Sequence, residues 1–171
     1  AAGVPTSAIE AAVDDPDVAV VRAMPNTPAL VGKGASAIAA GASASDHHLD
    51  WAESILATVG TVERVDESDL DAVTALSGSG PAYLFLVAEA LTDAATRAGL
   101  DPTLAGRLTR QLFIGASALL DELGDPATLR AQVTSPGGTT AAGLAVLDER
   151  GVRDAFVDAV AAAKVRSIEL R

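Results

Sequence analysis

Thr61-Val62-Glu63-Arg64-Val65 is the last stretch of this chain that reads as a strand, and Asp66-Glu67-Ser68-Asp69 turns straight out of it into helix. Threonine and valine alternating with charged residues suit a half-buried strand. Carboxylates gathered at one point suit the first turn of a helix, where the dipole favours negative charge. Everything before this pivot mixes strands and helices, and everything after it reads as helix. The fold class is therefore α/β followed by all-α, with domains at 1–65 and 66–171.

Upstream, Thr6 or Ser7 can cap a short helix through Ala12, stopped by Asp14-Asp15-Pro16. Val18-Ala19-Val20-Val21 reads as a buried parallel strand, ending at Arg22-Ala23-Met24-Pro25-Asn26-Thr27-Pro28, where two prolines forbid further pairing. Gly34 to Ala40 is a weak, Ala-rich strand, and Asp46 caps a helix through about Thr58. The order helix, strand, strand, helix, strand resembles the second half of a Rossmann-type open parallel sheet, arriving without its first half.

Downstream, Asp69 to Ala75 is helical, and Leu76-Ser77-Gly78-Ser79-Gly80-Pro81 breaks and restarts the chain, with Ser79 or Gly80 as N-cap before Pro81. Tyr83-Leu84-Phe85-Leu86-Val87-Ala88 is apolar on every side, so neighbours must wrap that helix, and a partner subunit is the natural source. Asp101-Pro102 and Asp125-Pro126 each start a helix, and two more run from about Thr139 to Glu149 and from Val152 to Leu170.

Three loops can hold chemistry: 1–5, 23–28 and 134–140. In Thr134-Ser135-Pro136-Gly137-Gly138-Thr139-Thr140 the proline and glycines form a turn that delivers the chain into a helix N-terminus. The first amides of that helix have no internal partner and attract an anion, and two threonine hydroxyls add directional hydrogen bonds. A capped turn joining two helices is the other reading. Asn26 can donate to and accept from a neutral carboxamide such as that of nicotinamide, or serve as an Asx-turn residue. His47 and His48 point about 100° apart on a helix and cannot share a metal, and the Asp14, Asp15 and Asp17 group reads as a solvated turn rather than a cation site.

Three motifs in this order, Val20 to Pro28, Leu76-Ser77-Gly78-Ser79-Gly80-Pro81-Ala82-Tyr83 and Thr134 to Thr140, closely resemble pyrroline-5-carboxylate reductases, and the resemblance runs the length of the chain. It implies a dinucleotide-binding domain followed by a helical domain, similar to the C-terminal domain of 6-phosphogluconate dehydrogenase, which interlocks with that of a second copy. The family begins with a Gly-rich pyrophosphate turn, and none occurs here, so about 90 residues are expected upstream if three βα units precede Ala1. The implied reaction is hydride transfer from NADP or NAD in reduced form, NADPH favoured, to 1-pyrroline-5-carboxylate, giving L-proline, with no metal. Ser135, Gly137, Gly138 and Thr139 would bind the substrate carboxylate, and Thr140 would place its hydroxyl at the ring nitrogen as the catalytic group. Ala2, Gly3, Ala23, Met24, Pro25 and Asn26 would line the nicotinamide, with Glu67 and Gln132 approaching the cofactor. The implied assembly is a homodimer through the helices after Pro81, with a higher oligomer of dimers left open, in the cytoplasm. A non-catalytic dimerisation module is the alternative. A β-hydroxyacid dehydrogenase is disfavoured, because its motif continues to a catalytic lysine where this sequence has Leu84.

Composition limits the partners. Among 171 residues there is no cysteine, hence no disulfide and no thiolate chemistry, and aromatics are only 3%, so Ala, Val, Leu and Ile must build the core. No uninterrupted run of about 18 apolar residues suggests a membrane span. Acidic residues outnumber basic ones 23 to 12, with only two lysines and a net charge of -11, which argues against nucleic-acid binding. Such a surface suits a very salty cytosol, because at 1 M salt the Debye length shrinks to about 3 Å and self-repulsion is screened. Thermal melts from low to multimolar KCl are expected to rise steadily, and a flat response would remove the salt reading.

Overall fold

The computed structural model describes residues 3–170. Two compact units divide it, one of Ala1–Ala82 with Val157–Arg171, the other Tyr83–Phe156. The division falls later than the change of character at Asp66, because the first helical turns after β3 pack on the sheet, and the last turns of the final helix join them. Buried Ser167 donates to buried Asp71 at 2.8 Å, which ties those two helical segments together.

In the first unit, α1 (Thr6–Val13) precedes β1 (Val21–Met24), β2 (Gly34–Ala40), α2 (Asp46–Leu56) and β3 (Gly60–Arg64). The sheet order is β1-β2-β3, with β1 antiparallel and β3 parallel to β2. A wholly parallel sheet is thus corrected to a mixed one. The physical reason is the connection: β1 reaches β2 through a short 3₁₀ turn, Thr27–Val31, too little chain for a crossover, whereas α2 supplies one between β2 and β3. The first strand is also displaced. Val18 is exposed, and pairing runs Val21↔Ala40 to Met24↔Ala37, so Ala23 and Met24 belong to the strand and only Pro25 ends it.

The core is small. Ala37, Ala39 and Leu70 are buried together, with Met24, Val65 and Val73 packed around them. Alanine on the sheet face lets the helix after β3 sit close. Helix starts also differ in detail from expectation. Pro5 holds the N-cap position of α1, and the Thr6 amide donates to Glu67 Oε1 instead of being capped by its own turn. Ser45 rather than Asp46 caps α2, and its amide donates to His48 Nδ1 at 3.0 Å.

After a 3₁₀ turn at Glu67–Asp69, α3 (Leu70–Val73) passes into a π turn at Thr74–Gly78 and then α4 (Gly80–Arg97). The Ser-Gly-Ser-Gly-Pro segment therefore does not break the chain. The Ser79 amide bonds the Thr74 carbonyl at 2.9 Å, and Ser79 stays in the right-handed helical region. The run Glu67–Arg97 is 31 residues and holds an 18-residue stretch with a mean hydropathy of 1.2, the one helix among the described residues long and apolar enough to cross a membrane by length and composition.

The second unit is helical: the remainder of α4, α5 (Pro102–Leu123), α6 (Pro126–Gln132), α7 (Thr139–Glu149) and the first turn of α8 (Val152–Glu169). Asp101 and Asp125 cap α5 and α6, each accepting two backbone amides with proline next in the chain, as their Asp-Pro pairs suggest. Leu84, Phe85 and Leu86 on α4 and Leu108, Leu112 and Ile114 on α5 are more than half exposed.

Gly60 opens β3 at φ +153°, and a Cβ there would overlap the amide nitrogen and carbonyl oxygen of Gly34 on β2. Gly60→Ala is expected to cost about 1–3 kcal/mol, from a backbone region that is nearly glycine-only and from overpacking. Denaturant melts check this, and unchanged stability would mean the strands can separate there at no cost.

Candidate functional site

The loop before α7 folds as its residues suggest. Ser135-Pro136-Gly137-Gly138 is a tight turn closed by the Gly138 amide on the Ser135 carbonyl at 3.0 Å, with Gly137 at φ +69°. Proline second and a positive-φ glycine third is the pattern of a type II turn. Gly138 is the N-cap of α7 and carries no side-chain cap, and the first bond of the helix runs from the Ala142 amide to the Gly138 carbonyl. The amides of residues 139–141 thus lack helical partners. Ser135, Gly137, Thr139 and Thr140 are exposed around them and Gly138 is half-buried. Gln132 is the exposed last residue of α6, just before this loop.

The contrast with the other helix starts in this unit is chemical. At α6 the Asp125 carboxylate accepts from the Ala127 and Thr128 amides and from the Thr128 hydroxyl. Its cap is therefore already an anion. At α7 the same dipole and the same orphan amides face outward with neutral hydroxyls beside them, an arrangement that can receive a carboxylate from outside.

The first unit holds the other predicted residues. Gly3 is buried in the turn before α1, against Leu170. Ala2 lies outside the described residues. Ala23 and Met24 end β1, half-buried, with the Met24 methyl against Gly78 of the π turn. Pro25 is exposed beyond the strand. The Asn26 side chain is engaged at both ends: Oδ1 accepts from the Ala35 amide at 2.9 Å, and Nδ2 donates to the Ser77 carbonyl at 3.0 Å. One amide hydrogen and one lone pair remain for a ligand.

Glu67 is held as firmly. Its Oε1 accepts from Arg22 Nη1 at 2.6 Å and from the Thr6 amide at 3.3 Å, while Oε2 is buried without a hydrogen-bond partner among the described residues. Arg22 is itself buried, in the middle of β1. This ion pair and the Asn26 bridge were not legible beforehand. Their partners are 45 and 51 residues apart, and neither spacing leaves a local signal. The first three acidic residues of the chain's Asp-rich turn stay at the surface, and no cluster of metal-ligating residues occurs among the described residues.

Residues 67–170 match the family model for pyrroline-5-carboxylate reductase dimerisation. The chain belongs to the pyrroline-5-carboxylate reductase family. A relative of that name from Synechocystis is 49% identical over 156 residues, covering 91% of this chain and 58% of the relative. The structure of a pyrroline-5-carboxylate reductase from Coxiella burnetii superposes with a TM-score of 0.92 at 42% identity, over 98% of this chain and 63% of that one. A Plasmodium falciparum pyrroline carboxylate reductase with NADP bound gives 0.89 at 31% identity, over 99% and 68%. The chain thus spans about three fifths of the length of the curated reductase it matches.

The Asp125 cap has a pH consequence. Hydrogen bonds from the Thr128 hydroxyl and then the Thr128 and Ala127 amides hold its carboxyl below the ordinary aspartate value. A carboxyl depressed on folding stabilises above its unfolded pKa, about 3.9, and that contribution fades as pH falls through the lower folded value. Side-chain NMR titration is expected to place Asp125 below a free aspartate, with α6 amides losing protection only in that acid range. Asp125→Asn should keep the cap and remove its pH dependence; a normal Asp125 titration would show the cap is not formed.

Proposed function

We propose that this protein reduces 1-pyrroline-5-carboxylate to L-proline with NADPH, working as a homodimer. The observation that carries the reading is the uncapped start of α7, behind the Ser135–Gly138 turn, in a chain of the reductase family. NADPH supplies a hydride to the C=N carbon when bound, and the ring nitrogen takes a proton. The residues of this chain orient and stabilise. The amides of residues 139–141 and the Ser135 hydroxyl take the substrate carboxylate, and Thr140 presents its hydroxyl to the ring nitrogen. A threonine hydroxyl is too weak an acid to protonate alone, so it orients the nitrogen and relays a proton.

The nicotinamide side fits in part. Pro25 offers an apolar surface, and Asn26, bonded at both ends of its amide, holds that segment in place. Glu67, neutralised by Arg22, supports the loop rather than presenting a free charge. The dimer reading rests on the matched dimerisation family and on α4 and α5, where Leu84, Phe85, Leu86 and Leu112 are more than half exposed. A second copy of the same helices would bury it, including the apolar stretch of Glu67–Arg97.

The full-length gene product is expected to turn over 1-pyrroline-5-carboxylate with NADPH. Thr140→Ala should lower kcat while changing stability by less than about 0.5 kcal/mol, because its hydroxyl caps nothing in the helix. Wild-type turnover in that variant would exclude Thr140 from the reaction. Absence of turnover in the unmutated protein, with dimers intact, would instead favour a dimerisation module without chemistry.

A further inference from the structure

Proline at position 81 creates a vacancy that Asn26 fills. In a regular helix the N–H of residue 81 would bond the carbonyl of residue 77, four positions back, but proline has no N–H. The chain nevertheless stays helical from Glu67 to Arg97, with a π turn at Thr74–Gly78 immediately before the proline. The Ser77 carbonyl accepts instead from Asn26 Nδ2 at 3.0 Å. Asn26 Oδ1 meanwhile accepts from the Ala35 amide at the start of β2, 2.9 Å away. One primary amide thus joins both ends of the β1–β2 connection to a helical carbonyl. Next to it the Met24 methyl rests on Gly78, where a Cβ would collide with it.

We infer that Asn26 is a positioning residue, which completes the hydrogen bonding of the proline-interrupted helix and thereby fixes the 23–26 segment on the nicotinamide side. The inference rests on the reductase reading for its catalytic consequence. It differs from direct cofactor binding in what it predicts: the rim is held by Ser77, and loss of the bridge misplaces the ring without removing its binding energy. Misplacement by about 1 Å costs up to a hundredfold in rate. π turns inside helices recur at functional sites.

The test uses three variants of the full-length protein. Asn26→Asp keeps the acceptor for Ala35 and removes the donor to Ser77, placing a carboxylate against a carbonyl. It is expected to lower kcat about tenfold or more while the KM for NADPH stays within about threefold. Pro81→Ala restores an N–H that can reach the Ser77 carbonyl within the helix, and alone should behave as wild type. The double variant Asn26→Asp/Pro81→Ala should recover a large part of the lost kcat and of any lost Tm. A rise in KM with kcat retained, or no rescue by Pro81→Ala, would overturn the bridge and return Asn26 to direct cofactor contact. Wild-type protein without turnover would overturn the reductase reading itself, and with it the catalytic consequence of the bridge.

Discussion

The first unit depends on one half-buried ion pair. Arg22 is 3% exposed in the middle of β1, and a guanidinium cannot lose its water without an anion in contact. Glu67 supplies that anion at 2.6 Å, and the same carboxylate oxygen takes the first amide of α1. Three pieces far apart in sequence are thereby fixed by one side chain: the strand, the helix before it and the helical turn after β3. Removing either partner from a fully buried pair costs about 3–5 kcal/mol, and the partial exposure of Glu67 keeps the cost here below that. A well-packed apolar pair would give similar stability, so what the ions add is register. Arg22 in the partner-facing position admits one placement of the Glu67 turn, and slippage by a residue would bury a charge alone.

With that turn fixed, the small core becomes understandable. Ala37, Ala39 and Leu70 make a shallow contact, and alanine contributes little transfer energy, about the value of a single methyl group or two. What it contributes is closeness, which lets α3 lie near the sheet and lets Asn26 and Met24 reach the π turn. The cost is apolar surface left outside. Leu30 is 90% exposed in the β1–β2 connection, and Trp51 is 67% exposed on α2. In the second unit the same economy of bulk leaves long Leu-rich helix faces in water, which fits a protein whose core is completed by assembly.

The sequence was readable where physics is local. Asp101-Pro102 and Asp125-Pro126 marked helix starts because cap and first-turn geometry involve neighbours only. The turn at Ser135–Gly138 was readable for the same reason, as was the pivot at Asp66. The strand at Val21–Met24 was misplaced by three residues because Val18-Ala19-Val20-Val21 is the more β-prone run, yet pairing with Ala37–Ala40 decides the register. Glycines and a proline between 76 and 81 read as a break, and would be one in isolation. The donor that repairs the helix sits on Asn26, beyond any local window. Family likeness pointed to candidate site residues, but it could not say that Asn26 and Glu67 already hold structural bonds.

The start of α7 shows why the loop proposed to bind substrate cannot simply be a well-made helix cap. The usual N-cap residues place an oxygen over the first amides and gain about 1 kcal/mol. At position 138 that solution is blocked twice over. A Cβ there would meet Ser135 Oγ, which must first swing away, and the backbone carbonyl of Ser135 lies close behind. An aspartate would add a worse fault in the proposed reaction, because its own carboxylate would occupy the place meant for the substrate's. Glycine leaves the amides of 139–141 open, and Gly137 at φ +69° turns the chain so that they face out. The helix therefore gives up a stabilising cap that α5 and α6 both keep, and in the proposed reaction the anion that replaces it is the substrate's carboxylate. In the proposed reaction, binding would then supply what folding omitted, at a helix start that lacks the capping carboxylate of α5 and α6.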